Sequence, residues 1–293
     1  GGGGGGDRGG RWGWVGGGGG GGGVEGWGGR RGAAGNGAGI WQSGGGIVSA
    51  GPGRMIVATG NGMGGGTPPV PTPGTSPPAN LAQSVVRVGV QPNGSLKATD
   101  FFAPYDSAYL DSWDADIGSG SPVELPAPYF GTAGIPHLVV QAGKEGYVYL
   151  LNADDLGGTG QGPSGSDRVV NRLGPFPNGL WAKPAVWPGD GGWLYLPFRD
   201  GLRSFKYGIG GTGLPTLSQR SVTNEVFGFG SSAGVVTSVG TATGSALLWT
   251  VRFPDDGTGI GAQLRAYAPV ASGGALPIGV SAPVAHATES ALA

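Results

Sequence analysis

A repeated strand-opening motif is the feature that most constrains the fold of this chain. A Pro or Gly within two residues of a Val opens an apolar run at residues 121–123, 183–186, 232–235 and 281–284. The first three motifs lead into a strand, a Gly-containing turn and another strand, and about 50 to 60 residues separate successive motifs. Strand and hairpin repeats of this length are typical of β-propeller blades, which bury both faces only by stacking around an axis.

The strand pattern continues along most of the chain. Runs rich in Val, Leu, Tyr and Trp are bounded by Gly, Pro, Asn and Asp, which predicts strands joined by turns. Helical periodicity is limited to a single turn around 104–111. We therefore predict an all-β chain of four or more four-stranded blades. The predicted strands are 46–50, 54–60, 84–90, 95–102, 121–125, 137–142, 146–152, 183–187, 192–198, 201–207, 216–222, 233–239, 245–252 and 262–268.

The number of blades indicates part of a larger ring. Four blades are complete or nearly so within residues 39–293, and residues 281–293 are predicted to supply the inner strand of a following blade. A Pro-rich insertion at 64–80 interrupts the first blade, and we interpret it as a solvated polyproline-like loop, with a recognition peptide as the alternative. Propellers have four to eight blades, so either the ring closes with five blades or the chain belongs to a seven- or eight-bladed disc. We favour the larger disc.

A Gly-rich segment occupies residues 1–38. A long Gly tract is typical of a flexible linker, but Trp and Val residues interrupt this one as they would in strands. We hypothesise that many of these glycines stand for side chains that were not identified, in strands of a preceding blade.

Composition excludes several classes of function. Charged residues make up 12% of the 293 residues and the formal net charge is −1, so no basic surface for nucleic acid is predicted. The chain has no Cys, which excludes disulfides, zinc-thiolate sites and a thiol nucleophile. No apolar run reaches the ~18 residues of a membrane span, and no signal peptide is visible. Low charge with abundant Gly, Pro, Ser and Thr favours a secreted or cell-surface protein.

Four segments carry a resemblance to a known family. Residues 39–46, 56–62, 111–114 and 142–152 occur in the order found in the second half of a pyrroloquinoline-quinone (PQQ)-type, or quinoprotein alcohol dehydrogenase-like, β-propeller. The chain most resembles secreted bacterial PQQ-like propeller-repeat proteins. The resemblance covers roughly 39–285 and implies a PQQ-like β-propeller fold.

The resemblance also implies a set of site residues. It places Trp41 and Lys144 against the quinone, Asn61 as a ligand of Ca²⁺, and Asp111 or Asp114 as the catalytic carboxylate. Such a site is chemically sensible, because an oxygen-bound cation polarises the quinone while a carboxylate accepts the alcohol proton. The sequence also departs from the family, since the vicinal disulfide is impossible without Cys and the glutamate ligand would lie upstream or within the Gly-rich segment.

Each of these residues also has a purely structural interpretation. Trp41 is then a packing residue between blades, Asn61 a turn residue with positive φ, and Lys144 part of a plain hairpin turn. The carboxylates then satisfy loop N–H groups or bind a structural Ca²⁺. These carboxylates are Asp111, Asp114 and Asp116.

Two functions remain open at this point. The leading one is a non-catalytic secreted or cell-surface propeller that serves as a binding platform or assembly unit, with a protein or carbohydrate partner or with further copies of itself. For that function no cofactor is expected in this chain. The alternative is a PQQ- and calcium-dependent dehydrogenase of alcohols or sugars.

Two geometric predictions follow from these interpretations. The strands that begin near Val123, Val186 and Val235 should be innermost in their blades and the most buried. The residues that the resemblance assigns to the site should converge on one end of the central channel. These residues are Trp41, Asn61, Asp111, Asp114 and Lys144.

Overall fold

The computed structural model describes residues 38–62, 68–255 and 258–283. The hypothesis about strands in residues 1–37 therefore lies outside the described residues. The strands are β1 (Val48–Ser49), β2 (Arg54–Ala58), β3 (Val85–Val90), β4 (Leu96–Phe102), β5 (Val123–Leu125), β6 (Leu138–Ala142), β7 (Val148–Asn152), β8 (Asn171–Leu173), β9 (Ala185–Trp187), β10 (Trp193–Phe198), β11 (Gly201–Ile209), β12 (Pro215–Val222), β13 (Val235–Thr237), β14 (Leu247–Arg252), β15 (Gln263–Tyr267) and β16 (Ile278–Pro283). The helix α1 spans Ser107–Ser112, and short 3-10 helices span Gln42–Gly44, Ile117–Ser119, Pro163–Gly165 and Gly189–Gly191.

These strands form four separate four-stranded antiparallel sheets. The first sheet is β1–β4, the second β5–β8, the third β9–β12 and the fourth β13–β16, each paired in chain order. The first strands of successive sheets contact one another, β1 with β5, β5 with β9 and β9 with β13. The all-β prediction with four-stranded units is confirmed, and the arrangement is consistent with a β-propeller-like one.

The hydrophobic cores lie between successive sheets. Alternate side chains of a strand point to opposite faces of its sheet, so one strand contributes to the cores on both sides. In β6, Leu138 and Val140 pack with buried side chains of the third sheet, while Val139 packs with those of the first sheet. Trp187 and Tyr267 belong to the core between the third and fourth sheets. Because both faces of a middle strand are covered, its sequence is a continuous apolar run and not an alternating one.

The prediction that the innermost strands are the most buried strands of their blades is wrong. The second strands β6 and β10 are buried along their whole length, whereas β5 and β9 each include a half-buried residue and β13 is largely exposed. Val235 in β13 is 61% exposed. A first strand has a hydrogen-bonded neighbour on one edge only, and no described sheet follows the fourth one to cover β13.

Two strand assignments also need correction. The short strand β8 was not predicted, since its Asn-Arg-Leu sequence lacks an apolar run. Residues 281–283 do not open a following blade. They end β16, which pairs with β15 as the fourth strand of the fourth sheet, with Leu264 opposite Ala282. The Pro-Val motif marks a strand but does not distinguish a first strand from a fourth.

The described part of the Pro-rich insertion, residues 68–80, contains no strand and lies against a loop of the second sheet. The Gln161 side chain accepts a hydrogen bond from the Gly74 N–H at 3.0 Å and donates one to the Thr72 carbonyl at 2.5 Å. The insertion thus connects the first sheet to the second. No helix in the described ranges has the length and apolar character needed to cross a membrane.

Candidate functional site

Three loops of the first two sheets meet at a group of polar side chains that we call the Lys144 network. The loop after β2 supplies Asn61, and the segment that follows α1 supplies Asp114 and Asp116. Lys144 lies in the turn between β6 and β7, and Gln83 precedes β3. Loops can supply such a group because they are free of the strand ladder, while the sheets fix where each loop begins.

Lys144 is the centre of this network. Its Nζ lies 2.5 Å from Asp116 Oδ2 and 3.0 Å from Asp114 Oδ2. The Asp116 side chain is 7% exposed and that of Asp114 is 71% exposed, so one carboxylate is buried and the other faces solvent. Burial by itself would lower the pKa of Lys144, but its hydrogen bonds to Asp116 and Asp114 raise that pKa above its ordinary value. The ammonium therefore stays charged.

The Asn61 amide is engaged at both ends. Its Nδ2 donates to Asp114 Oδ1 at 2.6 Å, and its Oδ1 accepts from Gln83 Nε2 at 2.7 Å. The backbone N–H of Asn61 donates to Asp116 Oδ1 at 2.5 Å. Gln83 Oε1 in turn accepts the N–H of Ile117 at 2.9 Å. These bonds join the loop of the first sheet to the segment that opens the second.

The other two predicted residues lie at the edge of the network. Trp41 is 43% exposed, and Lys144 Nζ is 5.6 Å from the centre of its ring. Asp111, on α1, accepts the N–H of Gly62 through Oδ1 at 2.5 Å. Each residue that the resemblance assigns to a site is thus in direct contact with the network or with its loop.

Two glycines allow the loops to approach this closely. A Cβ on Gly60 would lie 2.5 Å from Asp116 Oδ1 and 2.8 Å from Trp41 Nε1. A Cβ on Gly118 would lie 2.6 Å from the backbone carbonyl of Thr59. Residue 118 therefore requires glycine because the contact is with backbone, whereas a Cβ at residue 60 would displace the Asp116 carboxylate or the Trp41 ring from the network.

The structure separates the alternatives for several residues. Trp41 is not a buried packing residue, and Asn61 does not have the positive φ of the predicted turn. Asp111 and Asp116 do accept loop N–H groups, as the structural interpretation predicts. The five residues lie together, while their roles in catalysis and in cofactor or metal binding stay predictions.

The resemblance assigns neither Asp116 nor Gln83 to the site, although the structural interpretation includes Asp116 among the carboxylates that satisfy loop N–H groups. Asp116 accepts the Asn61 N–H and pairs with Lys144, and it is the most buried carboxylate of the network. Its signal in the sequence is the Asp-Ala-Asp spacing, which places a second carboxylate two residues after Asp114. Gln83 lies in no motif, so its role could be found only from the structure.

A second charged group lies on the other side of the same turn, and we call it the Glu145 cluster. It contains the carboxylates of Asp106, Glu145 and Asp167, with Arg172 as its cation. Arg172 pairs with Asp167 at 2.9 Å, and Glu145 Oε2 accepts from Tyr149 Oη at 3.2 Å.

Desolvation, and then the charge of Asp106, raise the pKa of Glu145 to about 7. Burial likewise raises the pKa values of Asp106 and Asp167. Asp106 Oδ1 is buried and has no hydrogen-bond partner in the described structure. The cluster therefore carries more negative charge than its one guanidinium balances.

Neither group forms a metal site as the described residues stand, because no set of three or more His, Asp or Glu side chains among them is placed to hold an ion. The chain matches no model of a protein family, and no curated protein matches it.

Proposed function

We propose that this chain is a set of blades of a PQQ-like β-propeller, secreted or at the cell surface, that serves as a non-catalytic binding platform or assembly unit. One observation carries the proposal. The side chains that the resemblance assigns to cofactor, metal and catalysis bind one another and nearby loop amides, so the Lys144 network works as a connection between two sheets. The order of the four sequence segments and the contacts between first strands support the propeller assignment.

The same contacts argue against the alternative of a calcium- and quinone-dependent dehydrogenase. A cation at Asn61 Oδ1 would compete with the hydrogen bond from Gln83 and would lie near the Lys144 ammonium. Calcium requires six to eight oxygen ligands, and the two nearest carboxylates already pair with Lys144. The described residues therefore do not fit that metal, and we derive no redox step from them.

The test is to add the quinone and Ca²⁺ to the purified protein and to follow dye reduction by simple alcohols and aldoses. We expect no turnover above background and no shift of the melting temperature with quinone and Ca²⁺. Turnover that Asp111→Ala or Asp114→Ala abolishes would overturn the proposal and establish the dehydrogenase.

The exposed side of the fourth sheet supports the assembly part of the proposal. Val235, Leu247 and Leu264 lie on this side and are 61%, 37% and 39% exposed, whereas Val48 at the start of the first sheet is 7% exposed. Apolar strand surface of this kind is normally covered by a neighbouring blade. We propose that a second copy covers it, so light scattering should show concentration-dependent association that Val235→Lys weakens. A monomer at every concentration would contradict this part.

A further inference from the structure

We propose that a cavity between the third and fourth sheets binds a small organic anion, one that joins a carboxylate or phosphate to an apolar body. The cavity is about 380 Å³ in volume, within the range of small-molecule sites. It is distinct from the Lys144 network, and the inference does not depend on the propeller assignment. Its lining residues are Trp193, Lys206, Arg220, Val270, Ala271 and Gly274.

Two cations lie close together in this cavity. Lys206 Nζ donates to the carbonyl oxygens of Asp190 and Gly192 and lies 5.1 Å from the centre of the Trp193 ring. Neither Lys206 nor Arg220 forms an ion pair with a side chain of the described ranges. Desolvation lowers the pKa of Lys206, the Asp190 carboxylate opposes that shift, and the charge of Arg220 adds to it. An anion between the two cations would relieve this repulsion.

The position of Arg220 follows from a β-bulge. In the pairing of β11 with β12, Ser204 lies opposite Ser221 and Phe205 opposite Gln219, so Arg220 has no partner of its own. A bulge redirects the side chain of its extra residue. Lys206 lies opposite Trp193 on the neighbouring strand, which brings the indole, the ammonium and the guanidinium to one cavity.

Two other sheets have the same bulge without the same chemistry. The extra residue is Thr99 between β3 and β4, and Gly279 between β15 and β16. The bulge is thus a backbone feature of the fourth strand in three of the four sheets, and only the third sheet places a cation on it. The side chain at the bulge, and not the bulge itself, is what indicates a ligand.

The lining defines the ligand's chemistry. Arg220 and Lys206 supply charged donors for an oxyanion, and none of the lining side chains is a carboxylate. The indole N–H of Trp193 is buried and has no hydrogen-bond partner in the described structure, so the donors outnumber the side-chain acceptors. Val270 and Ala271 offer apolar surface beside the cations, which favours an organic anion over an inorganic one.

Calorimetric titration of the full chain at low salt tests the site with benzoate and phenyl phosphate as probes. Benzyl alcohol lacks the charge and inorganic phosphate lacks the apolar body, so both should bind at least about tenfold more weakly than the better organic anion. The comparison of benzoate with phenyl phosphate shows which oxyanion the cavity prefers. Arg220→Gln should weaken binding about tenfold, since it removes one charged hydrogen bond.

The matched control is Lys97→Gln, which removes an exposed cation from β4 and should leave binding unchanged. A second variant, Lys206→Gln, removes the other cation of the cavity. Arg220 is exposed, so Arg220→Gln tests the site even if Lys206→Gln fails to fold. The proposal is overturned if neither organic anion gives a saturable heat up to its solubility limit. It is equally overturned if Arg220→Gln binds both probes as the parent chain does.

Discussion

Two charged groups lie on either side of one turn and differ in how their charges are balanced. Lys144 and Glu145 are neighbours in sequence, and α1 contributes to both groups, with Asp106 before it on one side and Asp111 and Asp114 on the other. In the Lys144 network a single ammonium meets two carboxylates at hydrogen-bond distance. In the Glu145 cluster three carboxylates share one guanidinium.

The difference shows that the effect of burial on the pKa of a group depends on whether the group has an oppositely charged partner, and not on the number of charges nearby. Attraction to two carboxylates outweighs the desolvation of Lys144, so its pKa is raised and its charge is kept. Desolvation of Glu145 is reinforced by Asp106, so its pKa rises to about 7 and a proton replaces the missing cation. The contribution of the Lys144 network to the free energy of unfolding should therefore change little with pH near neutrality. The contribution of the Glu145 cluster should change strongly.

The largest effect is expected for Asp116→Asn. This change leaves the Lys144 ammonium without its buried partner, and we expect the free energy of unfolding to fall by about 3 kcal/mol. Urea denaturation at neutral pH measures it. The matched control is Asp154→Asn, since Asp154 pairs with Arg54 at 3.0 Å and with His137 at 2.7 Å on the exposed surface, where each such pair contributes about 1 kcal/mol or less. Equal losses for the two variants would contradict a special role for the network.

The second-largest effect is expected for Glu145→Gln, which should raise the free energy of unfolding by an amount that depends on pH. The folded-state pKa of Glu145 is about 7 against an ordinary 4.5, so the folded chain holds a proton there that the unfolded chain releases. Stability therefore falls as pH rises through that window, and the loss is complete above it. Glu145→Gln should stabilise the chain at about pH 8 by roughly 1–2 kcal/mol, after allowance for solvent screening.

At about pH 4 the same variant should match the parent, because both states of Glu145 are then protonated. The groups that face Glu145 are Asp106, Asp167, Arg172 and Tyr149. Asp106 and Asp167 titrate in the same direction, so some slope should remain in the variant. Thermal melts of parent and variant across this range decide the matter, and two parallel curves would show that Glu145 is already charged in the folded chain.

The smallest effect is expected for Asp114→Asn. Asp114 pairs with the same ammonium as Asp116, but its side chain is 71% exposed against 7%. We expect a loss of less than about 1 kcal/mol, because solvent screens an exposed ion pair. Measured beside Asp116→Asn, it isolates burial as the variable. A loss as large as that of Asp116→Asn would mean that both carboxylates are required to hold Lys144.

The sequence predicted those features that depend on local pattern. Apolar runs bounded by Gly, Pro and Asn located fourteen strands, and the missed strand β8 is short and polar. The low burial of β13 depends on which sheets are neighbours, which no local pattern contains. The same distinction holds for the candidate site. The resemblance of local motifs predicted that Trp41, Asn61 and Lys144 lie close together. Gln83 and the central role of Asp116 depend on contacts between distant loops.

The repeated bulge of the fourth strands has a consequence for how such a chain can diversify. Thr99, Arg220 and Gly279 occupy equivalent positions that the ladder leaves unpaired, so a change of side chain there does not alter the register of the sheet. Mutation can therefore give each of these three repeats its own surface chemistry while the common scaffold is inherited intact. In this architecture one residue in each of these three repeats is open to selection for new ligands at little risk to folding.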